Sequence, residues 1–474
     1  MATPTPQLGG KRDLTSGPLG RNLFRLAAPL AVGAVLRSVY NMVDAFWLGK
    51  VSRAAIGAPG VTMPLFFIVI AVGMGFGGAG TALVAQYTGA GKPRQADRAA
   101  AQTVLLLCGL ALGLGIPVMV FAPDLLRLLQ VPEEIVPGAT AYLRIVMAGV
   151  PFMAFAVAYG SILRALGDTI TVVVITALTN CVNLVLDPLL IFGLLGLPRL
   201  EVRGAAIVTL FSQVVTALAC LWCLRRGRAG LHVRLADLKP DWVILRKMLT
   251  VGVPLAASGG FNSLGFLVFQ MMINSLGAVV VAAATIGFRI TWVFNMPSQA
   301  MAMAAAPIVG QALGAGRPKL AHRAVWTSAG LVAGVMFPVV VGLMLGGRLV
   351  ARAFIPEPEV IAEAGKFFMV VPASSYFFGV LMVLMAAFYG SGHTLPAMIV
   401  SILRLWFFRL PMAGLLGFVL GWGSLGVYLG MVFGNVVCAF ITLWLFLAGG
   451  WQSAVVPTKE TTAEDDERPQ GGTG

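Results

Sequence analysis

The 474-residue sequence predicts an all-α integral membrane protein, with twelve transmembrane helices in two six-helix bundles related by pseudo-two-fold symmetry. Three observations carry that prediction. Apolar residues make up 58% of the chain and charged residues only 11%, against roughly 25% charged in soluble domains, so no soluble fold could hide the apolar surface. Apolar stretches recur about twelve times, each at or above the roughly 20 residues that a helix needs to cross a bilayer. The second half of the chain also repeats the first.

The apolar stretches lie at 26–49, 56–86, 101–122, 140–163, 170–195, 205–224, 248–274, 278–311, 325–346, 367–390, 396–420 and 425–448. They are rich in Gly and Ala, as helix contacts in lipid prefer, and lack the alternation of an outer-membrane barrel. The formal charge of +14 would suggest nucleic acid as a partner in a soluble protein. Here the loops explain it, because basic residues gather on the cytoplasmic side of membrane proteins. With the N-terminus cytoplasmic, the N-terminal arm and the inner loops before the tail hold 18 of the 33 Lys and Arg. Seven of these (Arg225, Arg226, Arg228, Arg234, Lys239, Arg246 and Lys247) follow the sixth span.

This pattern divides the chain into a cytoplasmic arm (1–25), a first lobe (26–224), a basic cytoplasmic linker (225–247), a second lobe (248–448) and a polar, disordered cytoplasmic tail (449–474). The arm has no apolar core or small-residue cleavage site, so it does not read as a signal peptide. The expected location is the cytoplasmic (inner) membrane. All five Cys fall in predicted spans, and Cys220 with Cys223 lacks the further ligands of a zinc site, so packing is their expected role.

The repeat is direct. VAQYTGAGKPRQADRA, from Val84, recurs as VGQALGAGRPKLAHRA from Val309, with nine of sixteen positions identical at an offset of 225. The same offset aligns Pro29 with Pro254, and Gly167-Asp168-Thr169 with Gly392-His393-Thr394. Six spans per half is an even number, so both halves enter the membrane in the same sense, a parallel-repeat plan that places a substrate site between the halves. The Gly-rich turns at 89–91 and 314–316 lack phosphate-loop spacing and follow helices, not strands. They are expected to be tight cytoplasmic turns. No nucleotide motif is present, so uphill transport would draw on an ion gradient, with H+ or Na+ as the coupling ion and no other cofactor.

Carboxylates are costly in hydrocarbon and suggest function there. By these boundaries only Asp44 and Asp187 fall within spans. Asp44 is 18 residues past Leu26 and Asp187 is 17 past Ile170, so at about 1.5 Å per residue both reach the same level. At about 100° per residue, Arg37, Tyr40, Asn41 and Asp44 form one polar stripe, and Thr176, Asn180, Asn183 and Asp187 form another. Thr209 sits at comparable depth on the sixth span. Pro188 cannot donate a helical hydrogen bond and would leave the Leu184 carbonyl free. The plainer reading of these residues is an interhelical polar network without a transport role. The 225 offset maps Asp44 onto Phe269 and Asp187 onto Met412, while the second half places Arg289, Arg404 and Arg409 in its spans instead. Those arginines would either meet helix carbonyls and lipid headgroups or attract an anionic substrate.

The duplicated loops, the LRALGDT turn at 163–169 and NCVNLVLDPLLIFG at 180–193 together resemble the multidrug and toxic compound extrusion (MATE) family over nearly the whole chain. The resemblance implies a V-shaped antiporter that exports amphipathic, often cationic compounds in exchange for protons or sodium. The second half lacks an acidic residue in its spans, which is similar to the branch of DNA-damage-inducible protein F and the archaeal exporters. On that branch the coupling and substrate site falls on Tyr40, Asp44, Asn180, Asn183, Asp187 and Thr209. A sodium ion would take oxygens of Asp44, Asn180, Asp187 and Thr209. Arg37 departs from the pattern: a guanidinium there could pair with Asp44 and would repel a cationic drug, which shifts the protonating role to Asp187 with Asp44 as its partner.

The expected mechanism is alternating access. Facing outward, a carboxylate takes a proton and the loss of charge releases a bound cation; facing inward, the proton leaves and substrate binds again. The expected partners are small amphipathic organic cations and membrane lipid, with no nucleic acid, and the protein is expected to be monomeric. The alternative within transport is a flippase for an anionic lipid-linked glycan, gripped by the second-half arginines. An enzyme is not expected, since His232, His322 and His393 all fall in predicted loops with no cluster around them.

Overall fold

The computed structural model describes residues 7–8, 11–49, 53–194, 200–354 and 357–457. Twelve helices in it are long and apolar enough to cross a membrane. The first half contributes α1 (Leu19–Gly49), α2 (Arg53–Gly89), α3 (Pro93–Val120), a short α4 (Ala122–Leu128), α5 (Val136–Ala165), α6 (Thr169–Phe192) and α7 (Glu201–Arg225). The second contributes α8 (Trp242–Asn274), α9 (Ala278–Gly314), α10 (Pro318–Arg352), α11 (Pro358–Ser391) and α12 (Thr394–Ile402). The helix of α12 continues as a π-helix over Leu403–Arg409, returns to α-helix as α13 (Leu410–Gly414), takes a second π stretch over Leu415–Val419, and is followed by α14 (Gly423–Leu447). The chain is an integral membrane protein of all-α class.

Most helices begin several residues before their apolar stretch. α3 starts at Pro93, α10 at Pro318 and α11 at Pro358, each with proline in the first turn, where its missing N–H costs nothing. Apolar patterning marks depth in lipid, whereas proline and capping set where the helix begins. Asp168 caps α6 by accepting from Thr171 N at 3.0 Å, and Asp241 caps α8 through Val243 N and Ile244 N. The earlier start of α3 brings the buried Asp97 into a span, and that of α11 also corrects the count of carboxylates in spans. Glu363 lies within the helix, buried, with Oε2 2.7 Å from Lys366 Nζ.

Both ends of the chain depart from the sequence reading. The stretch read as an arm becomes α1 from Leu19 onward, and ahead of it Gln7–Leu8 pair antiparallel with Lys11–Arg12. Leu14 is buried against Ala302, Ala304 and Ile308 of the second lobe. The start of the expected disordered tail is packed: Trp451 is fully buried and donates to Phe446 O, and Val456 sits in the first-lobe core beside Leu231 and Cys223. Residues 458–474 of that tail lie outside the described residues. Within the linker, Asp237 is buried and accepts from Arg94 at 2.8 Å, pinning the linker to α3.

The lobes meet where both termini lie. Gly75 of α2 packs against the backbone of Ala256 in α8, and Gly252 of α8 packs against Phe76. Nearer the termini α2 and α9 come so close that a Cβ on Gly89 would overlap the Gln311 carbonyl, and one on Gly314 would overlap that of Gln86. These glycines are repeat counterparts in the GAG turns. The turns are tight, as expected, and Gly91 and Gly316 in them both have φ of 70°. They also allow the two halves to touch.

Candidate functional site

The first-lobe site is built on α6 and α7, which pack against each other. Asp187 is 1% exposed, deep in α6, which runs on past Pro188 to Phe192 before Gly193 ends it at φ 72°. One turn earlier, Asn183 is also buried. Of the two orientations of its amide, one satisfies every neighbour: Oδ1 accepts from Ser212 Oγ at 2.9 Å, and Nδ2 donates to Asp187 Oδ2 at 2.6 Å and Oδ1 at 3.2 Å. Asn183 therefore presents an amide N–H to the carboxylate and is held in that pose from α7.

The network continues along α7. Thr216 Oγ1 donates to the Ser212 carbonyl at 2.7 Å and lies 3.0 Å from Thr179 Oγ1. A ladder of polar groups thus runs from Asp187 through Asn183 and Ser212 to Thr216. Its foot opens on a cavity of about 360 Å³, which Thr216 and Thr176 line together with Tyr159, Arg37, Arg164 and Met303 of the second lobe. The remaining lining is apolar, and Arg37 and Arg164 are the charged residues in it. Arg164 donates to Ser161 Oγ at 2.7 Å. Such a cavity offers an apolar body with a basic end.

The structure brings together Asp187 and Asn183, and places Thr176 and Arg37 on the cavity. Asn180 is half-buried, and its Nδ2 has no hydrogen-bond partner among the described residues. Thr209 donates to Ala205 O at 2.9 Å and Thr176 to Val172 O at 2.9 Å, so both hydroxyl protons are committed to their own helices while the oxygens keep acceptor capacity. Tyr40 is half-buried on α1. The side chains of Asn41 and Asp44 lie outside the described residues, and with them the expected Arg37–Asp44 pair. Sequence reasoning missed Ser212, Thr216 and Arg164. Their signal was present: Ser212, Thr216 and the previously noted Thr209 fall on one face of the seventh helix at spacings of three and four.

In the second lobe Arg404 and Arg409 are buried inside the lobe. They are 7% and 4% exposed, and both donate to Asn435 Oδ1, at 3.1 and 3.0 Å. Arg289 is exposed.

A profile of the MatE family matches residues 29–189 and again 254–415, one match in each lobe. The chain belongs to the MatE family. MatE proteins are transporters, so the chain is not an enzyme. Among relatives, the Thermotoga maritima protein named probable multidrug resistance protein NorM is 28% identical over 450 residues, covering 94% of this chain and 96% of its own. The FAD transporter of Shewanella oneidensis is 26% identical over 454 residues, covering 96% and 99%. A crystallised multidrug resistance MATE family transporter in an outward-facing conformation superposes with a TM-score of 0.86 at 26% identity, covering 94% of this chain and 98% of that one. The match is full-length in each case, so this chain has the two-lobed MatE architecture throughout.

Proposed function

We propose that this MatE chain is a multidrug efflux antiporter of the cytoplasmic membrane, exporting small amphipathic organic compounds, cations among them, in exchange for H+ or Na+. Both termini and the basic linker face the cytoplasm in this reading, and the protein acts as a monomer. The observation that carries it is Asp187, a carboxylate in the interior of a membrane lobe, held by the Asn183 amide and joined by polar groups to a cavity large enough for a small organic molecule.

A charge that sits in such a place responds strongly to a proton or a sodium ion. With the lobes joined at the termini the site faces outward. There Asp187 takes the ion and loses its net charge, a bound cation loses its counter-ion, and the Asn183 amide is free to turn toward Ser212. When the lobes part at the termini the ion leaves to the cytoplasm and substrate binds again. For sodium, the oxygens of Asp44, Asn180 and Thr209 would join Asp187. A cationic substrate sits at the Asp187 end of the ladder, away from Arg37 and Arg164.

The basic end of the cavity favours a second reading, in which the exported molecule is an amphipathic anion; the Shewanella oneidensis relative is named an FAD transporter. The experiment is ion-driven flux in proteoliposomes. Ethidium and FAD are each offered under an imposed pH gradient and under a sodium gradient, with wild type and Asp187→Asn. Exchange by the variant at the wild-type rate under both gradients rejects Asp187 as the coupling group. Flux of FAD without ethidium selects the second reading.

A further inference from the structure

The second lobe contains two guanidinium groups for which the described residues provide no anion. Arg404 and Arg409 are five residues apart. In an α-helix that spacing would separate them by about 140°. Here both lie within a π-helical stretch, Leu403–Arg409, whose i to i+5 bonding brings residues five apart onto one side. Both side chains reach Asn435 of α14 and share its single Oδ1. The Asn435 amide N–H is turned away and spent on Ser374 Oγ at 2.7 Å. Arg404 also donates to Asn262 Oδ1 at 2.7 Å.

No ion pair joins either arginine to a carboxylate among the described residues. Arg409 Nε is buried without a hydrogen-bond partner among the described residues. Two buried like charges on one neutral acceptor are unfavourable unless a counter-charge joins them. Paired arginine forks match the oxygens of a carboxylate or phosphate. The 225 offset carries Arg37 onto Asn262, so Arg404 reaches the second-lobe counterpart of a residue that lines the first-lobe cavity.

We propose that Arg404 and Arg409, positioned by Asn435 and Asn262, form an anion-binding site in the second lobe that takes the carboxylate or phosphate group of a soluble molecule or a lipid. The site is separate from Asp187 and does not depend on the coupling reaction there.

The test is thermal unfolding of the purified full-length protein in nanodiscs. In one arm, inorganic phosphate or benzoate replaces chloride at constant ionic strength in phosphatidylcholine. In the other, phosphatidylglycerol replaces part of the phosphatidylcholine. A saturable rise in Tm is expected in at least one arm. A rise in the first identifies a soluble anion, and a rise confined to the second identifies a lipid headgroup.

Asn435→Asp supplies the missing charge from within, so this variant should melt no lower than wild type in chloride and should lose the anion-dependent rise. Arg409→Lys keeps the charge but lacks the fork, and should weaken the response about tenfold. No rise for wild type in either arm, or a rise that persists undiminished in Asn435→Asp, overturns the proposal.

Discussion

Gln86 and Gln311, repeat counterparts in the two lobes, each reach across to the other lobe and donate to the end of the equivalent helix. Gln86 Nε2 donates to Gly390 O and Ser391 O at 2.9 Å, and Gln311 Nε2 donates to Ala165 O at 2.9 Å. Their oxygens are equally matched: Gln86 Oε1 accepts from Val455 N at 3.0 Å, and Gln311 Oε1 accepts from Leu14 N at 2.9 Å. Both side chains are fully buried. The pair forms a symmetric latch that holds the lobes together at the termini.

Replacing Gln311 by Ala strands a carbonyl and an amide in a dry interface, at a cost of about 1–3 kcal/mol to the latched form. Gln86→Ala should cost as much or more, because it strands two carbonyls and the Val455 amide. Spin labels on the exposed residues Gln95 and Arg323 should report a population with the termini apart that grows about tenfold or more in either variant.

A stronger effect is expected from Gly314→Ala. The new methyl would overlap the Gln86 carbonyl oxygen, against backbone that cannot turn aside. The latched form should disappear, transport should fall to background, and the label distances should show only the parted state. Gly330→Ala on α10, where a Cβ meets nothing within 4 Å, should leave both readings unchanged.

Ser212→Ala removes the hydroxyl that fixes the Asn183 amide. Asp187 remains, so exchange should persist but run about five- to tenfold slower, in keeping with the loss of one hydrogen bond of about 1 kcal/mol. Asn183→Ala should be more severe, because the donor itself is gone. Initial rates in proteoliposomes distinguish the two.

His393, in the turn between α11 and α12, gives a pH dependence of stability. Burial pushes its imidazole below the ordinary value of 6.5, partly opposed by the backbone hydrogen bond with Ser391. The folded protein therefore binds the proton less readily than the unfolded chain. Stability from this residue is complete above the ordinary value and is lost as the pH falls below it toward the depressed folded value. Between about pH 7.5 and 5 the Tm of wild type should decline more than that of His393→Gln, measured by scanning fluorimetry.

The twelve spans and the duplication were legible because burial in lipid leaves a signal in every residue of a helix, and a repeat leaves one at every aligned position. Asp187 and Asn183 were legible for the same reason, as polar groups where nothing polar is cheap. The start of α10 at Pro318 and the burial of Trp451 were not, since neither depends on apolar run length. Nor was the shared orientation of Arg404 and Arg409: α-helical periodicity sets them on different sides, and only the π stretch, which carries no sequence signature, brings them together. The role of Gln86 and Gln311 was hidden differently. Their motif was the strongest repeat signal in the chain, but its purpose lies in contacts across the lobes that no single helix reveals.

The packing of Val455 and Val456 has a consequence for biogenesis. Val456 completes the core of the first lobe and Val455 engages Gln86, yet both are translated only after the whole second lobe. The first lobe must therefore wait in the bilayer with its inner face unfinished while about half the protein is still being made. A ribosome that stalls before the codon for Val455 would leave two inserted lobes without the strap that joins the end of one to the interior of the other.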